Sequence, residues 1–251
     1  MSSSHMKRLT MPRSWPLTRK TDIWVQKPNP GGHSDEMCMP LGVILRDVLG
    51  LAHSRREAKR MVATRKVLVD GRIETDSGRG VGLMDVLTVG EDHYRCVLDE
   101  NGKLRYRPIP TKDSSSKLCR VMGKTTIRGG KTQVHLHDGR NITVDDAKKY
   151  NSGDTLVISL PDQEVSGHHA FSEGVLAYLT GGSHIGSTAK VVSKDVKRSS
   201  KANEVQFEDF GTVADYVFVI GSEKDLPMLE SLLSSSDRKK KAGLDAMIGC
   251  Y

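Results

Sequence analysis

The sequence predicts a multidomain α+β protein, mostly β, and three observations carry that prediction. Leu41 to Thr75 reads as two short helices feeding a hairpin. From Leu118 onward, short apolar runs alternate with Gly, Asn and Asp turns, an all-β pattern. The chain has 251 residues with 37% hydrophobic and only 5% aromatic side chains, which suits several small aliphatic cores better than one large one.

The first segment, 1–40, holds five of the nine prolines together with Gly31-Gly32. That excludes a long helix and predicts an extended basic arm. Lys7, Arg8, Arg13, Arg19 and Lys20 are spread along it with the chain's two tryptophans, Trp15 and Trp24. With so little apolar surface the arm is expected to order against a partner, cations on phosphates and an indole on a base, a sugar or its own neighbouring domain. Met1-Ser-Ser-Ser-His5 on its own resembles a cloning remnant.

In 41–110, Leu41, Ile44, Leu45, Val48 and Leu49 gather on one side of a 3.6-residue helix, with Arg46 turned away. Ser54-Arg55-Arg56-Glu57 fits a capping box and opens a second helix. Its Ala58, Met61 and Val62 share a core side, and Arg55, Arg56, Lys59 and Arg60 stripe the other, interrupted by Glu57 alone. A solvated helix face is the plain alternative for such a stripe. After Arg65 and Lys66 the period drops to two in Val67-Leu68-Val69, and Asp70-Gly71 turns the chain into Arg72-Ile73-Glu74-Thr75 as a type I′ hairpin. Asn101-Gly102 marks another tight hairpin, and Lys112 to Lys117 reads as a loop.

The segment 111–170 is expected to be a central β domain, with strands at Leu118–Met122, Gln133–His137, Asn141–Val144 and Thr155–Leu160. His135 and His137 alternate along one strand, as metal ligands do, but without a third ligand at a telling distance a solvated sheet face is the expectation. His168-His169 reads as loop polarity. In 171–222 two apolar strands flank a glycine-rich loop at Gly181, Gly182 and Gly186, where missing Cβ atoms allow tight bends and close approach by another backbone, with His184 and Lys190 as its polar groups. That loop lacks the spacing and Lys-Ser/Thr pair of a Walker A motif. The polar tail 223–251 carries Ser234-Ser-Ser236 and Arg238-Lys-Lys-Lys241.

Net charge is +7, and residues 1–80 hold 15 basic against 8 acidic side chains, so the whole excess lies in the first third. A polyanion is the implied partner, with nucleic acid ahead of a membrane surface because the basic helix lacks an interfacial Trp, Phe and Leu face. Four widely separated cysteines argue for reduced, buried thiols and against a thiolate zinc site. No apolar run reaches membrane-span length and no signal peptide is recognised, so the cytoplasm is expected. Neither a Ser-His-Asp set nor a carboxylate pair can be placed, so no catalytic residue, cofactor or small-molecule substrate is predicted.

The helix-helix-hairpin order resembles the RNA-binding module shared by bacterial ribosomal protein four, certain pseudouridine synthases and tyrosyl-tRNA synthetases. The segment 174–192 with Val205-Gln206-Phe207 and Tyr216 to Ile220 resembles a KOW motif, which in that family forms part of a small β-barrel. His5-Met-Lys-Arg-Leu9 with Pro12 and Trp15, Pro40-Leu41 with Leu45-Arg46, Gly82 to Val86, Thr180-Gly-Gly182 with Ile185-Gly186, and Phe218-Val-Ile-Gly221 stand in one colinear order. Together they are similar to the archaeal and eukaryotic small-subunit ribosomal protein four of the "e" class, which also marks the tag-like start as native. The resemblance implies a non-catalytic ribosomal component whose partners are small-subunit rRNA and neighbouring ribosomal proteins. RNA contacts are then expected from the arm, the basic helix, Arg65, Lys66, Arg72 and the loop around Gly182, His184, Gly186 and Lys190. Two rivals are an RNA-modifying enzyme anchored by the same module, and a free translation or transcription factor holding a protein through the KOW barrel.

Overall fold

The computed structural model describes residues 4–146, 148–198 and 200–221, so the tail and its basic cluster lie outside the described residues. Among these the protein is α+β and mostly β, with three five-stranded sheets and two two-stranded ones. No helix among them is long and apolar enough to cross a membrane.

The N-terminal segment is not extended. His5–Lys7 (β1) pairs antiparallel with Trp24–Gln26 (β2), placing Lys7 opposite Trp24. Its prolines do forbid a long helix, but Met11, Trp15 and Val25 sink into the core of the following module, which supplies the apolar surface the arm lacks by itself. The Trp15 indole N–H donates to the Cys38 carbonyl at 2.8 Å.

Cys38–Pro40 (β3) leads into the first helix (α1), α-helical over Leu41–Val43 and π-helical over Ile44–Val48. The Leu49 N–H donates to the Ile44 carbonyl, five residues back, at 2.9 Å. Leu41, Ile44 and Leu45 are buried all the same, so the apolar face survives in a wider turn than the 3.6-residue period assumes. The second helix, Arg55–Ala63 (α2), precedes the hairpin Val67–Val69 (β4) and Arg72–Ile73 (β5). Asp70 and Gly71 have φ of 52° and 74°, as a type I′ turn demands. Gly80–Gly82 (β6) returns to pair with β3. Val86–Val89 (β7), Asp92–Leu98 (β8) and Leu104–Ile109 (β9) complete a sheet of order β5-β4-β7-β8-β9.

The stretch expected as a loop at Lys112 to Lys117 is instead a short helix, Thr111–Ser114 (α3), followed by the start of Ser116–Thr126 (β10). Thr132–Leu136 (β11), Asn141–Val144 (β12), Thr155–Ser159 (β13) and Val165–His169 (β14) follow, in the order β12-β11-β10-β13-β14. His168 and His169 thus sit on an edge strand rather than in a loop, and His168 bonds the buried Asp154 carboxylate at 2.8 Å. The third sheet, β18-β17-β16-β15-β19, comprises Leu176–Leu179 (β15), Thr188–Asp195 (β16), Glu204–Phe207 (β17), Gly211–Val213 (β18) and Val217–Gly221 (β19).

The sheets are joined through side chains. Tyr178, Phe218 and Ile220 of the third sheet belong to the same apolar cluster as the first. Pairing of β7 with β8 stops at Arg95, and beyond it the Tyr178 hydroxyl accepts from Leu98 N–H at 2.9 Å and donates to Leu98 C=O at 2.7 Å. Cys38, Cys96 and Cys119 are free and buried.

Candidate nucleic-acid interface

The surface of α2 follows from its sequence. Ser54 Oγ accepts from Glu57 N–H at 3.2 Å, and the Glu57 carboxylate accepts from His53 N–H at 2.8 Å. One orphan amide of the first turn, that of Glu57, is thereby satisfied, and the helix's one acid reaches back past the Ser54 cap to the amide of the residue before it. Ala58 and Val62 are fully buried, fixing which face points inward. Arg55, Arg56, Lys59 and Arg60 are all exposed. Arg65 ends the helix in the left-handed region at φ 61°, and Lys66 precedes β4; both are exposed. Among the described residues none of these six cations has an acidic partner. Arg72, also exposed, lies in a separate polar pocket of about 390 Å³ with Arg79, Arg140 and Gln163.

The arm and loop residues divide. Lys7, Arg13 and Lys20 are exposed, and half-buried Arg19 donates to the Leu9 carbonyl at 2.8 Å. Arg8 is buried, donating to the Thr18 carbonyl at 2.6 Å and pairing with Asp22 at 3.1 Å, so it fastens the arm to itself instead of facing outward. Trp15, 1% exposed, is likewise a core residue, whereas Trp24 is 52% exposed and packs edge-on against His5. In the third sheet Gly182 and His184 are exposed, and the His184 ring stacks on Phe210 at 4.0 Å. Gly186 is buried: a Cβ there would meet the Asp99 carbonyl at 2.5 Å, so its missing side chain admits the β8–β9 turn and not a ligand. Lys190 is exposed but paired within β16 opposite Leu176, away from the loop it was expected to border.

A second charged constellation, unseen in the sequence, lies where the first and second sheets meet. Lys117 is fully buried, and its Nζ reaches Asp70 at 2.9 Å, Asp85 at 2.5 Å and Asp138 at 2.9 Å. Arg140 adds ion pairs to Asp70 and Asp138, and His33 Nε2 bonds Asp85 at 3.0 Å. Burial opposes charge throughout. Even so, Asp85 and Asp70 hold the Lys117 ammonium well above its ordinary range. His33 and Lys117 in turn keep the Asp85 carboxyl far below the usual one. Asp138 is drawn down to about 2 against the same penalty, chiefly by Lys117, whereas burial and the neighbouring Asp85 raise Asp70. The buried His33 is nevertheless raised, because Asp85 outweighs the loss of water.

His137, read from sequence as lying on a solvated face, belongs to this junction. Its Nδ1 accepts from Arg120 N–H at 3.2 Å, its Nε2 meets the Leu83 carbonyl at 3.2 Å, and its ring packs edge-on against Phe218. Burial, then Lys117, press its pKa down to about 4. Cys119, His137 and Asp138 bring their ligand atoms within 4.8 Å of one another. The trio suits a cation poorly: both ring nitrogens are engaged, and Asp138 already holds two cationic side chains. Both Asp-Gly pairs, 70–71 and 138–139, mark turns in the sequence, and a turn signal carries no information on which distant cation its carboxylate meets.

Comparison with known proteins places these features in a family. The RS4NT (NUC023) domain matches residues 2–36, the S4 domain residues 39–87, and the Ribosomal family S4e residues 90–165. The chain is 42% identical over 229 residues to the small ribosomal subunit protein eS4 of Methanosphaera stadtmanae, covering 89% of this chain and 94% of that one. It is 42% identical over 236 residues to the eS4 of Methanocaldococcus jannaschii, covering 88% and 96%. The crystal structure of the 30S ribosomal protein S4e from Thermoplasma acidophilum is similar with a TM-score of 0.67 at 35% identity, covering 75% of this chain and 97% of that one.

Proposed function

The chain belongs to the ribosomal S4e family, a family of structural proteins and not of enzymes, and from that premise we propose that it is an rRNA-binding constituent of the small ribosomal subunit. The observation that carries this reading is the face of α2. Four cations stand exposed on nine helical residues, with Arg65 and Lys66 continuing beyond, and no described carboxylate neutralises them. An A-form RNA helix offers phosphates and 2′-hydroxyls more readily than base edges, so such a face recognises shape and backbone. Lys7, Arg13 and Lys20 extend the positive surface, while Arg8 and Trp15 brace it from within.

The chain is divided here into an N-terminal segment (1–40), an S4-type RNA-binding unit (41–110), a central β unit (111–170), a KOW-type barrel (171–222) and a tail (223–251). The barrel offers Gly182, His184 and Lys190 to RNA or a neighbouring ribosomal protein. Ribosomes in the cytoplasm are the place of action.

Ionic strength and charge reversal test the reading together. With about six phosphates neutralised, affinity for naked small-subunit rRNA falls on the order of a thousandfold between low and moderate salt. The Arg56→Glu, Arg60→Glu double variant weakens binding about a hundredfold and flattens that salt slope. Wild-type affinity indifferent to salt, or unaltered by the double variant, refutes it.

A further inference from the structure

Trp24 is the one tryptophan open to solvent, and a large aromatic ring held at the surface of a basic protein is a more informative observation than a buried one. It lines an open cleft of about 930 Å³ with Ile23, Arg46, Asp47, Ala52 and His53. Ile23 is 72% exposed, so one wall is apolar and wet. The charges in the cleft are already matched. Arg46 grips Asp47 through two hydrogen bonds of 3.0 and 2.8 Å, and Asp22 is paired with Arg8 at 3.1 Å. Exposed cations flank these walls in the chain: Lys20 immediately precedes Thr21 and Asp22 of the first, and Arg55 and Arg56 follow His53 of the second across the Ser54 cap.

An exposed indole in a cleft whose own charges are paired, with exposed cations adjoining it in the chain, matches one chemistry, a flat uncharged base tethered to charged phosphates. We propose that this cleft receives a single unpaired nucleobase of the bound RNA, stacked on the Trp24 indole while Lys20, Arg55 and Arg56 hold the flanking phosphates. The inference rests on the RNA-binding reading above and adds to it a contact with single-stranded RNA, since a base inside a duplex has no free face to offer. An apolar peptide from a neighbouring protein suits the cleft less well, because Arg55 and Arg56, which follow its His53, belong to the cationic face of α2.

The two tryptophans make the test direct, because Trp15 at 1% exposure serves as an internal reference for Trp24 at 52%. The probes are an unstructured oligoadenylate and an RNA duplex of the same length, titrated against the full chain. The expected result is that oligoadenylate quenches the solvent-exposed emission and shields it from iodide, while the duplex binds without doing either. Trp24→Ala lowers oligoadenylate affinity on the order of tenfold, Trp24→Phe restores most of it, and duplex affinity changes in neither. Unchanged Trp15 emission confirms that both variants are folded. Equal quenching by the duplex, or full oligoadenylate affinity in Trp24→Ala, overturns the inference. So does a Trp24 that iodide still reaches under saturating RNA and that is shielded only in assembled subunits, which points to a protein occupant. The Arg56→Glu, Arg60→Glu variant separates the two levels: if it loses both probes while Trp24→Ala loses neither, RNA binding stands and the base pocket falls.

Discussion

The face of α2 and the junction around Lys117 are both built from cations, and they meet opposite fates. On α2 every basic side chain is exposed and lacks an acidic partner among the described residues; at the junction one ammonium, wholly removed from water, is gripped by three carboxylates from three parts of the chain. Solvation explains the contrast. A cation at the surface keeps its water and exchanges it for phosphate at little cost, whereas a cation taken inside must find its counter-charges within the protein. A count of Lys and Arg cannot distinguish the two, but their effects can: one set governs binding and the other governs how two sheets are held together.

That division is open to direct attack. Lys117→Met leaves Asp70, Asp85 and Asp138 buried around an absent charge, and urea unfolding is expected to show a loss of roughly 3–5 kcal/mol. Arg56→Glu with Arg60→Glu shifts the same unfolding curve by no more than about 0.5 kcal/mol. Comparable losses in the two variants would erase the distinction.

Acidity probes the junction next. The His137 pKa is depressed to about 4, so between about 6.5 and 4 the unfolded chain binds more protons there and the stability present above that window is lost as pH falls. The loss is on the order of 3 kcal/mol, and His137→Gln flattens this part of a stability-pH curve. Asp138 adds a loss from about pH 4 down through 2. His33 has the opposite sign: its raised pKa contributes stability below its unfolded value that disappears as pH rises through the folded one. The smallest expected effect is on the other surface. Ser54→Ala removes the α2 cap and costs about 1 kcal/mol, and Ser54→Asp recovers most of it in thermal melts.

Features governed by near neighbours are legible in the sequence. Asp70-Gly71, Asn101-Gly102 and Asp138-Gly139 mark real turns, in which Gly71, Gly102 and Gly139 take φ of 74°, 68° and 77°. The α2 start is equally local, since Ser54 and Glu57 are three residues apart. Lys117 is different in kind: its partners lie 47, 32 and 21 residues away, beyond any helical or strand period. The same distance problem leaves the two tryptophans indistinguishable in the sequence, although Trp15 is buried and Trp24 exposed. Nothing adjacent to Trp15 announces that Cys38, 23 residues on, accepts its indole N–H, so composition alone made the arm look unfolded. Gly186 shows the limit from the other side: its missing Cβ signals close approach by another backbone, but nothing local says that the backbone is that of Asp99.

The Tyr178 hydroxyl, filling both main-chain positions of Leu98, has a bearing on inheritance. A homologue that exchanged its last sheet for an unrelated fold would strand an amide and a carbonyl in a dry interior. The phenol and its receptor strand therefore behave as one inherited unit in physical terms, since either without the other leaves buried polar atoms to find new partners.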